Sequence, residues 1–172
     1  MTSLSPEPWL RGLLPGITHA LQPVGHALTA ALEDTQHAVV TLGPTQLWFQ
    51  PGGAASIGFH LLHLTGSTDR LFTYARGEAL SDAQRAALVA ERTLPDPLPT
   101  LETLLAAWRT GVGVALDQLS RTTEATLRDP RAVGRTQLPS TVLGLLFHGA
   151  EHAQRHTGQI IATTKIIQGL EL

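Results

Sequence analysis

Cysteine is absent from all 172 residues. That absence excludes disulfides, thiolate nucleophiles, cysteine zinc sites and iron–sulfur clusters, so any transition metal must rest on His, Asp or Glu. Long apolar runs are missing too. No stretch reaches the roughly 18 to 20 residues of a membrane span, and the N-terminal MTSLSPEPWLRGLLPG lacks the basic-then-apolar layout of a secretory signal. A soluble, cytoplasmic protein with no membrane partner is the expectation. Charge is sparse, at 15% of residues with a net of −2, and the 12 Lys and Arg residues are scattered along the chain. No basic stripe offers itself to a phosphate backbone, so nucleic acid is not an expected partner.

What is present is apolar side chain, 42% of the total. That share supports a sizeable buried core, and the length suits one domain spanning residues 1–172. Apolar residues at helical spacing predict a first helix over residues 16–42, with Pro23 kinking it or marking a late start. GPTQLWFQPGG then reads as a connection that cannot continue a helix. A second helix is predicted over 54–76, with Gly77 at its C-terminal cap. SDAQ at Ser81 matches a capping box and opens a short helix before the breaker TLPDPLP. Thr100 can cap a third long helix through Leu104, Trp108, Val112, Ala115 and Leu119, and a fourth should run from about Ser140 to Gln168. Residues 120–139 read as polar and irregular, and no segment shows sustained β-type alternation. The expected fold is all-α, an up-and-down four-helix bundle with one long crossover between the second and third long helices.

Five of the eight histidines crowd into two helical windows, His60 and His63 in GFHLLHLTGSTDR and His148, His152 and His156 in LFHGAEHAQRHTGQI. At about 100° per residue, His152 and His156 differ by roughly 40° in azimuth and about 6 Å along the axis, so both rings can converge on one ion. His63 or His60, from a facing helix, would supply a third ligand. Three neutral imidazoles suit a borderline cation and leave a position open for water or substrate. An HExxH motif and paired Glu-x-x-His motifs are both missing, so a mononuclear site is the expectation. Ser67 is a helix-packing or ligand-orienting residue, Glu151 points away as a solvated carboxylate, and Gln159 is placed to hydrogen-bond near the site. Asp69 and Arg70 read as a solvated face, and Trp9, Trp48 and Trp108 as core or lid packing.

The segments SIGFHLLHLTGSTDRL and HGAEHAQRHTGQI, in this order and separated by a long crossover, resemble the two signature regions of the DinB/YfiT-like family. The likeness extends to GGAAS before the second helix and LPST before the last. It implies a four-helix bundle in which His63, His152 and His156 bind one divalent metal, zinc or nickel foremost, with iron or manganese as other options. The choice of His63 over His60 rests on this resemblance, which leaves His60, His148 and Ser67 as second-shell candidates. Relatives that transfer small thiols such as bacillithiol imply a metal-dependent thiol S-transferase acting on small molecules in stress response or detoxification. A metal-dependent hydrolase and a non-enzymatic, metal-stabilised binding protein are the alternatives, and a homodimer is compatible with the sequence.

Overall fold

A computed structural model describes residues 6–170. Four long helices carry the architecture: α1 (Gln22–Val39), α3 (Ile57–Ala75), α5 (Leu101–Arg121) and α6 (Val142–Gly169). Two shorter ones, α2 (Pro44–Trp48) and α4 (Asp82–Ala90), sit in the connections. Each start has a local cause. Pro23 lies in the first turn of α1, where its missing N–H costs nothing, so it marks a late start and not a kink. Ser56, Thr100 and Thr141 cap α3, α5 and α6, their hydroxyls accepting from the backbone N–H of Phe59, Thr103 and Gly144. The capping box on α4 forms as expected: Ser81 Oγ accepts from the Gln84 N–H at 3.1 Å, and the Gln84 carboxamide oxygen from the Ser81 N–H at 2.8 Å.

The helix directions follow from which residues meet. Gly111 lies against Thr65 and Gln118 donates to the Phe72 carbonyl, so α5 runs parallel to α3. Gln154 donates to the Ala27 carbonyl and Gln168 to Thr41, so α6 runs parallel to α1. His60 meets His156 while Phe72 meets Gly149, so α3 and α6 are antiparallel. The order is therefore up, down, down, up, as one long crossover between the second and third long helices requires. A parallel pair needs a connection that returns the full helix length, and residues 76–100 with α4 supply it. Both α1 and α3 pack against α5 and α6, which leaves α1 and α3 on a diagonal.

The core between these helices holds Leu28, Leu61, Leu64, Trp108, Leu119, Leu146 and Ile160, all fully buried. Residues 120–139 are less irregular than expected. Strands β1 (Pro130–Val133) and β2 (Leu138–Thr141) pair antiparallel, Val133 opposite Leu138, around a turn in which Gly134 takes a φ of 69°. Arg131 donates from Nε to the Ala75 carbonyl at 2.8 Å and ties this hairpin to the end of α3. GPTQLWFQPGG also holds a helical turn, α2, which begins at Pro44 as proline's fixed φ allows. Among the described residues, no helix is long and apolar enough to cross a membrane.

Candidate metal centre

Facing turns of α3 and α6 bring four of the five crowded histidines together. One ring nitrogen from each of His63, His152 and His156 lies within 4.8 Å of the others. His63 Nε2 and His152 Nε2 face each other at 2.9 Å, and His60 Nδ1 and His156 Nδ1 at 3.0 Å. His60 is buried at 6% exposure, inward of the three, whereas the three are only partly buried. Phe59 stacks flat on the His63 ring, with centroids 5.6 Å apart and planes within 6°.

Burial first, then the neighbouring imidazoles and Arg155, pushes His152 and His156 down from 6.5 to about 4. His60 is lowered by burial and by His63. At neutral pH these rings keep their lone pairs. The His63 tautomer is set from outside the cluster: its Nδ1 lies 2.8 Å from Glu91 Oε2, a carboxylate that can only accept, so the proton sits on Nδ1 and Nε2 presents a lone pair inward. Glu91 is held in turn by Arg70, whose two terminal nitrogens donate at 2.6 and 3.2 Å. Burial alone would raise the Glu91 carboxyl, but the bonds from His63 and Arg70 outweigh it and bring it below its ordinary value. Gly66 makes room for this pair. A Cβ there would lie 2.5 Å from Glu91 Oε1 and 2.7 Å from Arg70 Nη1.

This donor set fits a divalent cation of borderline softness. Its ligands are imidazole nitrogens, one of them oriented by a carboxylate, the arrangement that metal-bound histidines usually have. The 2.9 Å approach of His63 Nε2 and His152 Nε2 accommodates one hydrogen, while His152 Nδ1 is buried with no partner. The cluster thus carries more nitrogen lone pairs than protein hydrogens to satisfy them. A cleft of about 720 Å³ opens beside His63 and Glu91, lined by Trp48, Phe59, Leu62 and Leu88.

The structure corrects some sequence expectations and meets others. Arg70 is not a solvated charge but is buried at 7% exposure. Asp69 is exposed and accepts from Gln84. Ser67 is buried and donates to the Leu64 carbonyl of its own helix, so it acts as a small packing residue. Gln159 is exposed and makes no side-chain bond among the described residues. Trp9 is 61% exposed and belongs to neither core nor lid, whereas Trp108 is fully buried and Trp48 lies over Gly58. His148 is exposed and pairs with Glu151 at 3.2 Å, with its ring 5.6 Å from that of His152. Glu91, the group that orients His63, was missed. It closes a short exposed helix far along the chain, and no local pattern marks it.

Comparison with known proteins agrees with this geometry. The model of the DinB superfamily matches residues 27–160, which run from within α1 through α5 and along α6 past both of its inward-facing histidines. No curated protein matches the chain.

Proposed function

The chain belongs to the DinB superfamily, and from that premise we propose that it is a metal-dependent enzyme acting on small molecules, with the whole chain working as one bundle. His63, His152 and His156 hold a divalent ion, zinc or nickel before iron or manganese. The observation that carries this reading is the convergence of three imidazole nitrogens from two helices within 4.8 Å. Such an ion supplies Lewis acidity, lowering the pKa of a coordinated thiol or water and offsetting charge that develops on an electrophile.

The protein contributes the rest. Glu91 keeps the His63 proton on Nδ1, and Arg70 keeps Glu91 ionised and in place. His60 Nδ1 meets Nδ1 of His156, which fixes that ring's orientation and leaves Nε2 as the nitrogen available to an ion. Trp48, Phe59 and Leu62 line an apolar cleft that receives the organic part of a substrate and excludes water from one face of His63. Because the chain has no cysteine, a sulfur nucleophile must arrive as a cosubstrate, a low-molecular-weight thiol such as bacillithiol. Thiol S-transfer in detoxification or stress response is the activity this favours. The test is to assay metal-loaded protein for thiol transfer to an electrophilic aromatic compound and, separately, for ester and amide hydrolysis. Thiol transfer that disappears in His152→Ala supports the reading. Hydrolysis alone would replace it, and neither activity together with a lower Tm on metal removal would reduce the ion to a staple between α3 and α6.

A further inference from the structure

A second concavity opens away from the His63 ring. It lies between α4, the end of α3 and the β1–β2 hairpin, has a volume of about 960 Å³, and is lined by four arginines, Arg85, Arg92, Arg131 and Arg135, against one carboxylate, Glu78. The scattered cations of the sequence are thus gathered in space: four of the 12 Lys and Arg residues meet in one concavity of a chain whose net charge is −2.

Two of the charges in this pocket are already matched. Glu78 accepts from Arg76, and Arg85 pairs with Asp82 and the Leu80 carbonyl. The other three are not. Among the described residues no carboxylate pairs with Arg92, Arg131 or Arg135. Arg131 is partly buried, and its protein partners are two carbonyl oxygens, those of Ala75 and Pro130 at 2.8 Å each. A partly desolvated guanidinium held only by carbonyls keeps its charge unneutralised, which is costly unless an anion comes to it. The floor is apolar. Leu88 and Val89 of α4 line it at 39% and 64% exposure, beside Tyr74. Leu88 also lines the cleft beside His63, so α4 forms a wall between the two concavities.

We propose that this pocket binds a small organic phosphate. Three uncompensated guanidinium groups match a multiply charged oxyanion better than a single carboxylate, and the planar fork of arginine suits phosphate oxygens. The apolar floor takes the organic body, and the volume falls in the range of small-molecule sites, roughly 300 to 1,000 Å³. The concave shape, closed on one side by the hairpin, favours a small molecule over a nucleic-acid backbone, which needs an extended track. This pocket contains none of the clustered histidines, although it shares Leu88 and Arg92 with the cleft beside His63, and it stands whether or not the chain is an enzyme.

Calorimetric titration of the full chain with ADP, adenosine and inorganic pyrophosphate tests it, with and without excess EDTA. ADP should bind with Kd below about 1 mM, and adenosine and pyrophosphate each at least tenfold more weakly, because each supplies half of the complement. Arg135→Ala alone should weaken ADP severalfold, and Arg92→Ala with Arg135→Ala at least tenfold; both residues are exposed, so the fold should survive. Binding should weaken as salt rises. Four results would each overturn the proposal: no ADP binding at several millimolar, adenosine binding as well as ADP, unchanged affinity in the double variant, or heat that vanishes with EDTA and so belongs to a metal.

Discussion

Glu91→Gln separates orientation of His63 from simple structural support. The substitution keeps the side chain's shape and removes its charge, while Arg70, at 7% exposure, stays behind without a counter-ion. Breaking a fully buried pair costs about 3 to 5 kcal/mol, and since both side chains retain some water contact, about 1 to 3 kcal/mol is the reasonable range here. For a chain of this length that lowers Tm by roughly 2 to 10 °C. The second effect is specific to the site. A carboxamide can present its NH2 group to His63 Nδ1, which lets the ring proton move to Nε2, the nitrogen that faces His152 at 2.9 Å. Loss of such an orienting carboxylate typically weakens metal binding by about 10- to 100-fold. Competition of metal-loaded protein against a colorimetric chelator reads this directly, and a urea melt of the metal-free protein reads the stability part. Gly66→Ala should shift both effects in the same direction by a smaller amount, since its Cβ would displace only the ends of the Glu91 and Arg70 side chains. If Glu91→Gln lowered Tm but left metal affinity within about threefold of wild type, the carboxylate would be a structural partner of Arg70 and the tautomer argument would fail.

Three other perturbations have defined outcomes. His152 and His156 are lowered from 6.5 to about 4, so the unfolded chain takes up protons in that interval that the folded chain refuses. Stability of metal-free protein is therefore full above pH 6.5 and falls as pH drops towards 4; urea midpoints that stayed flat from pH 7 to about 5 would contradict this. Trp108 is fully buried with its indole N–H unpartnered, so Trp108→Ala should cost about 3 to 5 kcal/mol. Trp108→Phe, which also removes the orphan donor, should cost clearly less in the same chemical melts. His148→Ala, at an exposed position, should change chelator-competed metal affinity by less than about threefold, whereas a tenfold loss would make His148 part of the centre.

The long helices were legible because each has an apolar stripe, and three of the four a hydroxyl cap, that need only local chemistry to read. Ser56, Thr100 and Thr141 occupy the caps, and Leu104, Trp108, Val112, Ala115 and Leu119 line one face of α5 as their spacing predicts. The pairing of His152 with His156 was legible for the same reason, since one turn of helix separates them. The long crossover was legible from the breaker-rich stretch after Gly77, but its path was not: how the 25-residue segment, residues 76–100, folds back across the bundle is recorded by no periodicity. Glu91 and Arg70 escaped for a related reason. An arginine on an otherwise readable helix looks solvated until a carboxylate from the crossover covers it, and α4 itself contributes no buried side chain that would announce its position. The hairpin at Pro130 to Thr141 has strands of four residues each, too short for alternation to register.

The account turns on His63, His152 and His156 gripping one cation between α3 and α6. Elemental analysis of protein purified without a polyhistidine tag, set beside His63→Ala, His152→Ala and His156→Ala, measures that directly. One divalent ion per wild-type chain and little or none in each variant is the predicted result. Full occupancy in all three variants would place the ion elsewhere and remove the basis for the proposed chemistry.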